Sequence, residues 1–392
     1  MANSLLNVNM ITNAALQILH QKLNFVGSIN RAYDDSFAQA GAKIGSTLRI
    51  RLPNQYTTTL GPALSIQDVG ENNTTLTVST QRHVDTVFSS AELALNVFDF
   101  SQQVLEPAMA VLAANIENDA LTMATSVYNQ INGYGAAQTF KNVMLARKAL
   151  RDNLAPAGQL EIRLNTQDNV DLVDSLKGLF NDTSTVASQY RDGFMGRTAG
   201  FEFAENTFLT TYTRGAGNAA YVTNGAGQTG SSLVVQTGSG IALAGDVFTI
   251  AGVNRVHPET KANTGVLQQF VLTANTVSGA GTWSISPAIV TTGATQNVSA
   301  APGASALITF AGSVSTAAGL SLAYHPNAFT FATADLVMPE GVHFAARKVQ
   351  DGISLRVVRQ YDINNDRIPC RIDCLYGYAA MRPQLAVRMA AN

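Results

Sequence analysis

Between residues 211 and 323 the sequence carries only five charged side chains, and short runs alternating apolar with polar residues are set apart by turns rich in Gly, Thr, Ser and Asn. Alternation with period two marks strands that bury one face, because successive side chains on a strand point to opposite sides of the sheet. The runs predict strands at Leu233 to Gln236, Val247 to Ile250, Leu267 to Thr273, Trp283 to Ser286 and Ala306 to Phe310. Short strands at such spacing fit a small barrel. Ordinary charge density precedes this region and returns after Asp335, so an all-β domain interrupts a host that resumes on the far side.

The host mixes helix and strand. Ile11, Ala15, Ile18 and Lys22 recur at helical spacing behind Asn9 or Thr12 as cap, which predicts a short amphipathic N-terminal arm suited to packing on a neighbour. From Leu48 the chain alternates up to Pro53, and Leu76, Val78, Thr80, Arg82, Val84, Thr86 and Phe88 alternate again after the turn signals Gly61-Pro62 and Glu71-Asn72-Asn73-Thr74. Together they predict a long β-ribbon. Leu105, Met109, Leu112, Ile116, Ala120, Met123, Val127 and Ile131 then share one helical face, predicting a spine helix over 101–132. At 1.5 Å per residue it would span about 50 Å, starting either at a Ser101 cap with a kink at Pro107 or at Glu106-Pro107, and ending at Asn132-Gly133. A second helix is predicted from Thr139 to Leu154, stopped by Pro156-Ala157-Gly158, then a strand from Leu160 to Leu164. A third helix opens at a Thr166 cap, with Asp168 and Asp171 near the positive end of its dipole. Late in the chain, residues 353–361 alternate into a turn from Asp362 to Asp366, and a strand from Ile372 to Ala380 returns.

Composition narrows the function. Of 392 residues 46% are hydrophobic and 13% charged, about half the usual charged share. A surface poor in solvated charge is easily desolvated against another subunit, which favours self-association. The net charge of −2 and the lack of a dense basic run argue against a nucleic-acid reader. The first residues have no cationic start before an apolar core, and no stretch reaches membrane-spanning length, so the chain is expected to act in the compartment that makes it. Cys370 and Cys374 stand four apart on one predicted strand, too distant to bridge, and read as two reduced core residues.

Catalytic motifs fail one by one. Gly225-Ala-Gly227-Gln-Thr-Gly230 matches a dinucleotide pattern, but Leu233-Val-Val follows where a helix is needed, and Gly215-Ala-Gly217 fails identically. There is no nucleophile elbow and no phosphate loop. His20, His83, His257, His325 and His343 lack ligand spacing. Asp362, Asn364, Asp366 and Asp373 echo a calcium loop, yet Arg367 stands where Gly is required and strands flank it, so a hairpin turn is expected. Asp34-Asp35 reads as a solvated loop. The expectation is no catalytic, cofactor-binding or metal residue and no enzyme activity.

The order of arm, ribbon, long helix, α/β region and returning strands resembles the Hong Kong 97-type coat fold of tailed-bacteriophage major capsid proteins. Arg191-Asp-Gly-Phe-Met-Gly-Arg-Thr-Ala-Gly200 is similar to an apical-domain segment of such coats, and Tyr324-His-Pro-Asn-Ala-Phe-Thr-Phe to the strand re-entering it. Gly245-Asp-Val-Phe-Thr-Ile-Ala-Gly-Val-Asn-Arg-Val-His-Pro resembles the inserted domain of the branch typified by short-tailed Salmonella phages. The resemblance implies an α+β coat fold with an arm (1–45), an extended β-loop (46–88), a peripheral domain with the spine helix (89–160), a first apical part (161–210), the inserted barrel (211–323) and return strands (324–392). It implies self-assembly as hexamers and pentamers in an icosahedral shell, a scaffolding protein, a portal at one vertex, packaged double-stranded DNA held without sequence-specific binding, and no membrane. The implied location is the virion capsid, assembled in the bacterial cytoplasm through a precursor shell that expands. Some such coats cross-link through a Lys on the extended loop; here no Lys lies between Lys43 and Lys141, which predicts a shell without cross-links. Two alternatives remain: an encapsulin-like compartment shell, which normally lacks the insertion, and a carbohydrate-binding adhesin or tail module with Trp283, Tyr221 and Tyr324 as stacking platforms, although the reading preferred for these three aromatics is barrel core.

Overall fold

The computed structural model describes residues 15–19, 22–31, 46–64, 66–67, 73–89, 106–156, 158–176, 197–209, 211–350, 352–365 and 367–392. The expected caps Asn9 and Thr12, the pair Asp34-Asp35, the Ser101 helix start and most of the Arg191 segment lie outside them. The chain divides into two compact units, one of Met1–Arg51, Asn73–Leu121 and Phe329–Ala379, the other of Leu52–Asn72, Thr122–Ala328 and Ala380–Asn392.

In chain order the first unit holds the helical turn α1 (Phe25–Ser28), strands β1 (Ser46–Arg51), β2 (Asn73–Val78) and β3 (Thr80–Ser89), and helix α2 (Glu106–Leu121). The second supplies β4 (Gln130–Gly133), α3 (Phe140–Asp152), β5 (Leu160–Leu164), α4 (Thr166–Leu176), β6 (Arg197–Thr198), β7 (Phe201–Glu205) and β8 (Thr211–Thr213). The insertion contributes β9 (Val222–Thr223), β10 (Gly230–Gln236), β11 (Val247–Val256), β12 (Asn263–Leu272), β13 (Gly281–Ile289) and β14 (Ile308–Phe310), and β15 (Ala317–Tyr324) leads out of it. β16 (Phe329–Ala334), β17 (Phe344–Gln350), β18 (Ile353–Arg359) and β19 (Arg367–Ala380) belong to the first unit, and β20 (Ala386–Ala391) to the second.

The insertion is a barrel. Its strands run in the order β14-β11-β12-β13-β10-β9, and Val222 of β9 bridges Leu307 beside β14, which brings the two ends of the row together. Alternation points Leu233 and Val235, Phe248 and Ile250, Phe270 and Leu272, and Trp283 and Ile285 inward to one core. Trp283 sits at its centre, edge-on to Tyr221 with ring centroids 4.9 Å apart and to Phe248 at 5.7 Å. Closure removes the free edges that such uncharged strands would otherwise offer to other chains.

The barrel's own unit also holds a mixed sheet ordered β4-β20-β15-β5-β7-β6, with β8 pairing β15. β20 runs parallel to β4 and antiparallel to β15, and every residue of it is buried. Thr139 caps α3 by accepting from the Asn142 N–H, and α3 lies against β20, β4 and β15. In the first unit β19 pairs with both β18 and β3, and α2 docks on this sheet through Asp119, which accepts two bonds from Arg82 and one from the Tyr376 hydroxyl at 2.5 Å.

Four sequence expectations change. The spine helix ends at Leu121, followed by a 3-10 turn Thr122–Ser126, while Ile131, Asn132 and Gly133 form β4. The Thr125 and Ser126 hydroxyls bond back to the carbonyls of Thr122 and Met123, and Gln130–Gly133 is claimed by β20, so long-range pairing overrides a continuing helical period. The ribbon is shorter than expected: β1 pairs β2 from Ser46↔Val78 to Arg51↔Asn73, but past Ser79 the second run pairs β19. The buried face of the arm is Ala15, Leu16 and Leu19, with Lys22, expected on that face, exposed, and Glu117 of α2 accepts from the Phe25 and Val26 N–H groups that follow, at 3.0 Å each. Finally, Asn165 and not Thr166 caps α4, accepting from the Asp168 N–H at 2.7 Å.

Candidate functional site

The segment between β1 and β2 carries no charged residue from Leu52 to Gln67. Thr57 donates its N–H and hydroxyl to the Gln67 side-chain oxygen at 2.9 and 3.1 Å, and the Gln67 amide donates back to the Thr57 carbonyl. This clamp holds a tip whose apolar side chains face outward: Leu60 is 102% exposed, Leu64 87% and Ile66 82%. Isolated exposed apolar residues are ordinary, whereas here three stand together on one clamped, charge-free tip.

A second constellation roots the barrel. Asp246, at the start of β11, accepts from the Tyr212 hydroxyl at 2.8 Å, from Leu243 N–H at 2.9 Å and from Gly215 N–H at 3.1 Å to each oxygen. Gly215 is required there because a Cβ would stand 2.6 Å from the Leu243 nitrogen. Gln130 and Gln269 exchange backbone and amide hydrogen bonds at 2.9 Å, which occupies the outer edge of β4, and Arg255 pairs with Asp152 of α3. Sequence reasoning missed this root, although Arg214, Asp246 and Arg255 are three of the region's five charges, and a charge retained in so uncharged a segment implies a dedicated partner.

Among the described residues, those singled out from sequence do not converge on chemistry. Trp283 and Tyr221 are barrel core, the reading preferred from sequence, and Tyr324 is buried in the mixed sheet instead of the barrel, which leaves none of the three a face for a sugar. β10 follows the Gly225 to Gly230 turn where a phosphate site needs a helix. His83 contacts Asp85 at 3.0 Å, His257 and His325 accept backbone N–H groups through Nδ1, and His343 is exposed; His20 lies outside the described residues. Among the described residues no three His, Cys, Asp or Glu side chains gather as a metal set. The Asp362 carboxylate serves the turn itself, accepting from Asn364 N–H at 3.1 Å and the Asn365 amide at 2.7 Å. Cys370 and Cys374 are buried free thiols on β19, and burial pushes Cys374 up to about 12, leaving it unreactive.

A family model described as "P22 coat protein - gene protein 5" matches residues 29–390. The chain belongs to the P22 coat protein family. It is a major capsid protein, a structural subunit of an icosahedral shell with the α+β coat fold and an inserted β-barrel, and its place is the virion capsid. Among solved structures it is similar to one from Mycobacterium phage Che8 (12% identity, 94% of this chain and 90% of the other, TM-score 0.49) and to the capsid of cyanophage P-SCSP1u (11%, 94% and 91%, 0.44). It is also similar to the mature capsid of bacteriophage PhiM1 (10%, 91% and 84%, 0.43). No curated protein matches the chain. For this coat protein, membership in a phage coat family selects the coat reading over the compartment-shell and adhesin readings.

Proposed function

We propose that this coat protein assembles as hexamers and pentamers around double-stranded DNA, through a scaffolded precursor shell that forms in the bacterial cytoplasm, carries a portal at one vertex and later expands. The observation that carries the reading is the clamped, uncharged tip between Thr57 and Gln67, which matches a loop laid across a neighbouring subunit. The proposed division of labour follows the sequence boundaries. The arm (1–45) packs on a neighbour and the extended loop (46–88) lies across one, the peripheral domain (89–160) carries the spine helix, the first apical part (161–210) clusters around the six- and five-fold axes, the return strands (324–392) complete both the apical and peripheral domains, and the barrel (211–323) projects, steadying its own subunit and the contacts between capsomers. Near-neutral charge suits a wall that packs DNA and later releases it, since a basic wall would retain phosphate. Many weak contacts multiplied by symmetry then hold the shell without cross-links.

Electron microscopy of the full chain expressed alone and with its scaffolding protein tests this. Uniform closed shells with six- and five-fold clusters are expected, with nuclease-protected DNA in particles from infected cells. A monomer under both conditions, or shells filled with a protein cargo, refutes it. Ladders surviving boiling in detergent would refute the absence of cross-links.

A further inference from the structure

The barrel root buries two permanent positive charges against one negative charge. Arg388 of β20 is 0% exposed and Arg214, between β8 and β9, is 4% exposed; Asp246, at 1%, is the carboxylate they share. A guanidinium does not deprotonate in a protein, so burial lowers its pKa without discharging it. Asp246 is already occupied by Tyr212, Gly215 and Leu243. Arg388 instead gives Nη2 to the Gly245 carbonyl and Nη1 to the Thr125 carbonyl at 3.4 Å, and lies 5.4 Å over the Tyr212 ring. Arg214 gives Nη2 to the Gly217 carbonyl and lies 4.7 Å over the Phe310 ring. The Nε–H of each guanidinium is buried and meets no acceptor among the described residues. Tyr134 and Tyr212 stand close enough to interact with both charges, but burial raises both phenols, so neither supplies the second negative charge at neutral pH.

We infer that the free Nε–H groups of Arg214 and Arg388 hold a small monovalent inorganic anion of halide size, which fixes the root of the barrel to β20. An oxyanion such as phosphate is favoured where a guanidinium offers its fork bidentately, and here Nη2 of each already serves a carbonyl. Both arginines reach the root from chain segments far apart in sequence, so the bound anion ties the start of the insertion, the start of β11 and the strand from 386 to 391 into one joint.

The full chain is tested by thermal unfolding at fixed ionic strength while chloride replaces gluconate, together with the 35Cl NMR linewidth. A saturable rise in Tm of a few degrees and an excess linewidth abolished by bromide are expected, and Arg388→Met should lose both. If that variant does not fold, Arg214→Met carries the same expectation, and bromide competition on the unaltered chain stands by itself. A Tm that follows only ionic strength, with no bromide-sensitive linewidth or with the same linewidth in a folded Arg variant, overturns the inference and leaves water as the partner of the Nε–H groups.

Discussion

Asp168 places a carboxylate at the first turn of α4 with no exposed surface. Its Oδ2 accepts the Ser321 hydroxyl at 2.5 Å and the Gln138 amide at 3.5 Å, and the Asn392 amide approaches Oδ1 at 3.5 Å. Desolvation dominates: it raises the pKa from 3.8 to about 6, helped by the charge of Asp171 and opposed by the Ser321, Gln138 and Asn392 donors. The protonated carboxyl therefore favours the folded state, a contribution fully present below the unfolded value and lost as pH rises through the folded one. The whole difference is about 3 kcal/mol, of which about 1.3 kcal/mol is lost between pH 5 and pH 7. Asp168→Asn removes the titration whatever fixed cost the amide brings. Urea unfolding of wild type and variant at both pH values should show the variant gaining about 1.3 kcal/mol relative to wild type on going from pH 5 to pH 7. Parallel pH profiles would refute the reasoning, and so would a gap that moved the other way.

Replacing Leu60 and Leu64 by Asp should abolish shell formation while changing subunit stability by less than about 0.5 kcal/mol, checked by sedimentation and urea unfolding, because both side chains are exposed in the subunit. Glu117→Ala should cost about 2–4 kcal/mol, because two backbone N–H groups lose a charged acceptor in a buried site, and limited proteolysis should then cut near Phe25 first. Trp283→Ala should destabilise the barrel by about 3–5 kcal/mol, read from hydrogen exchange in β10 to β13, with α2 and β18 unchanged.

Much of the local structure was legible because it obeys a period. The five strands expected in the insertion fall on β10 to β14, α3 begins right behind Thr139, where the second helix was expected to start, and β5 has the expected limits. The helical stripe from Met109 to Ala120 is buried as read, and both cysteines are core. The exposed apolar tip was half legible: its Gly61-Pro62 turn was visible, whereas the Thr57 and Gln67 clamp was not. None of Arg388, Arg214 and Asp246 announces itself in a local pattern, because their partners are separated by as many as 263 residues.

What the sequence determined by itself was which stretches bury a face and with what period, since that depends only on neighbours within a few positions. Which strands then meet was decided by tertiary structure alone. Ile131 continues a helical stripe yet joins β4 because β20 offers a parallel partner, and the run from Leu76 to Phe88 divides at Ser79 because β1 ends and β19 takes over. Apolar residues state that they will be buried but not against what, and a backbone N–H or a buried charge finds its partner only when distant segments are brought together.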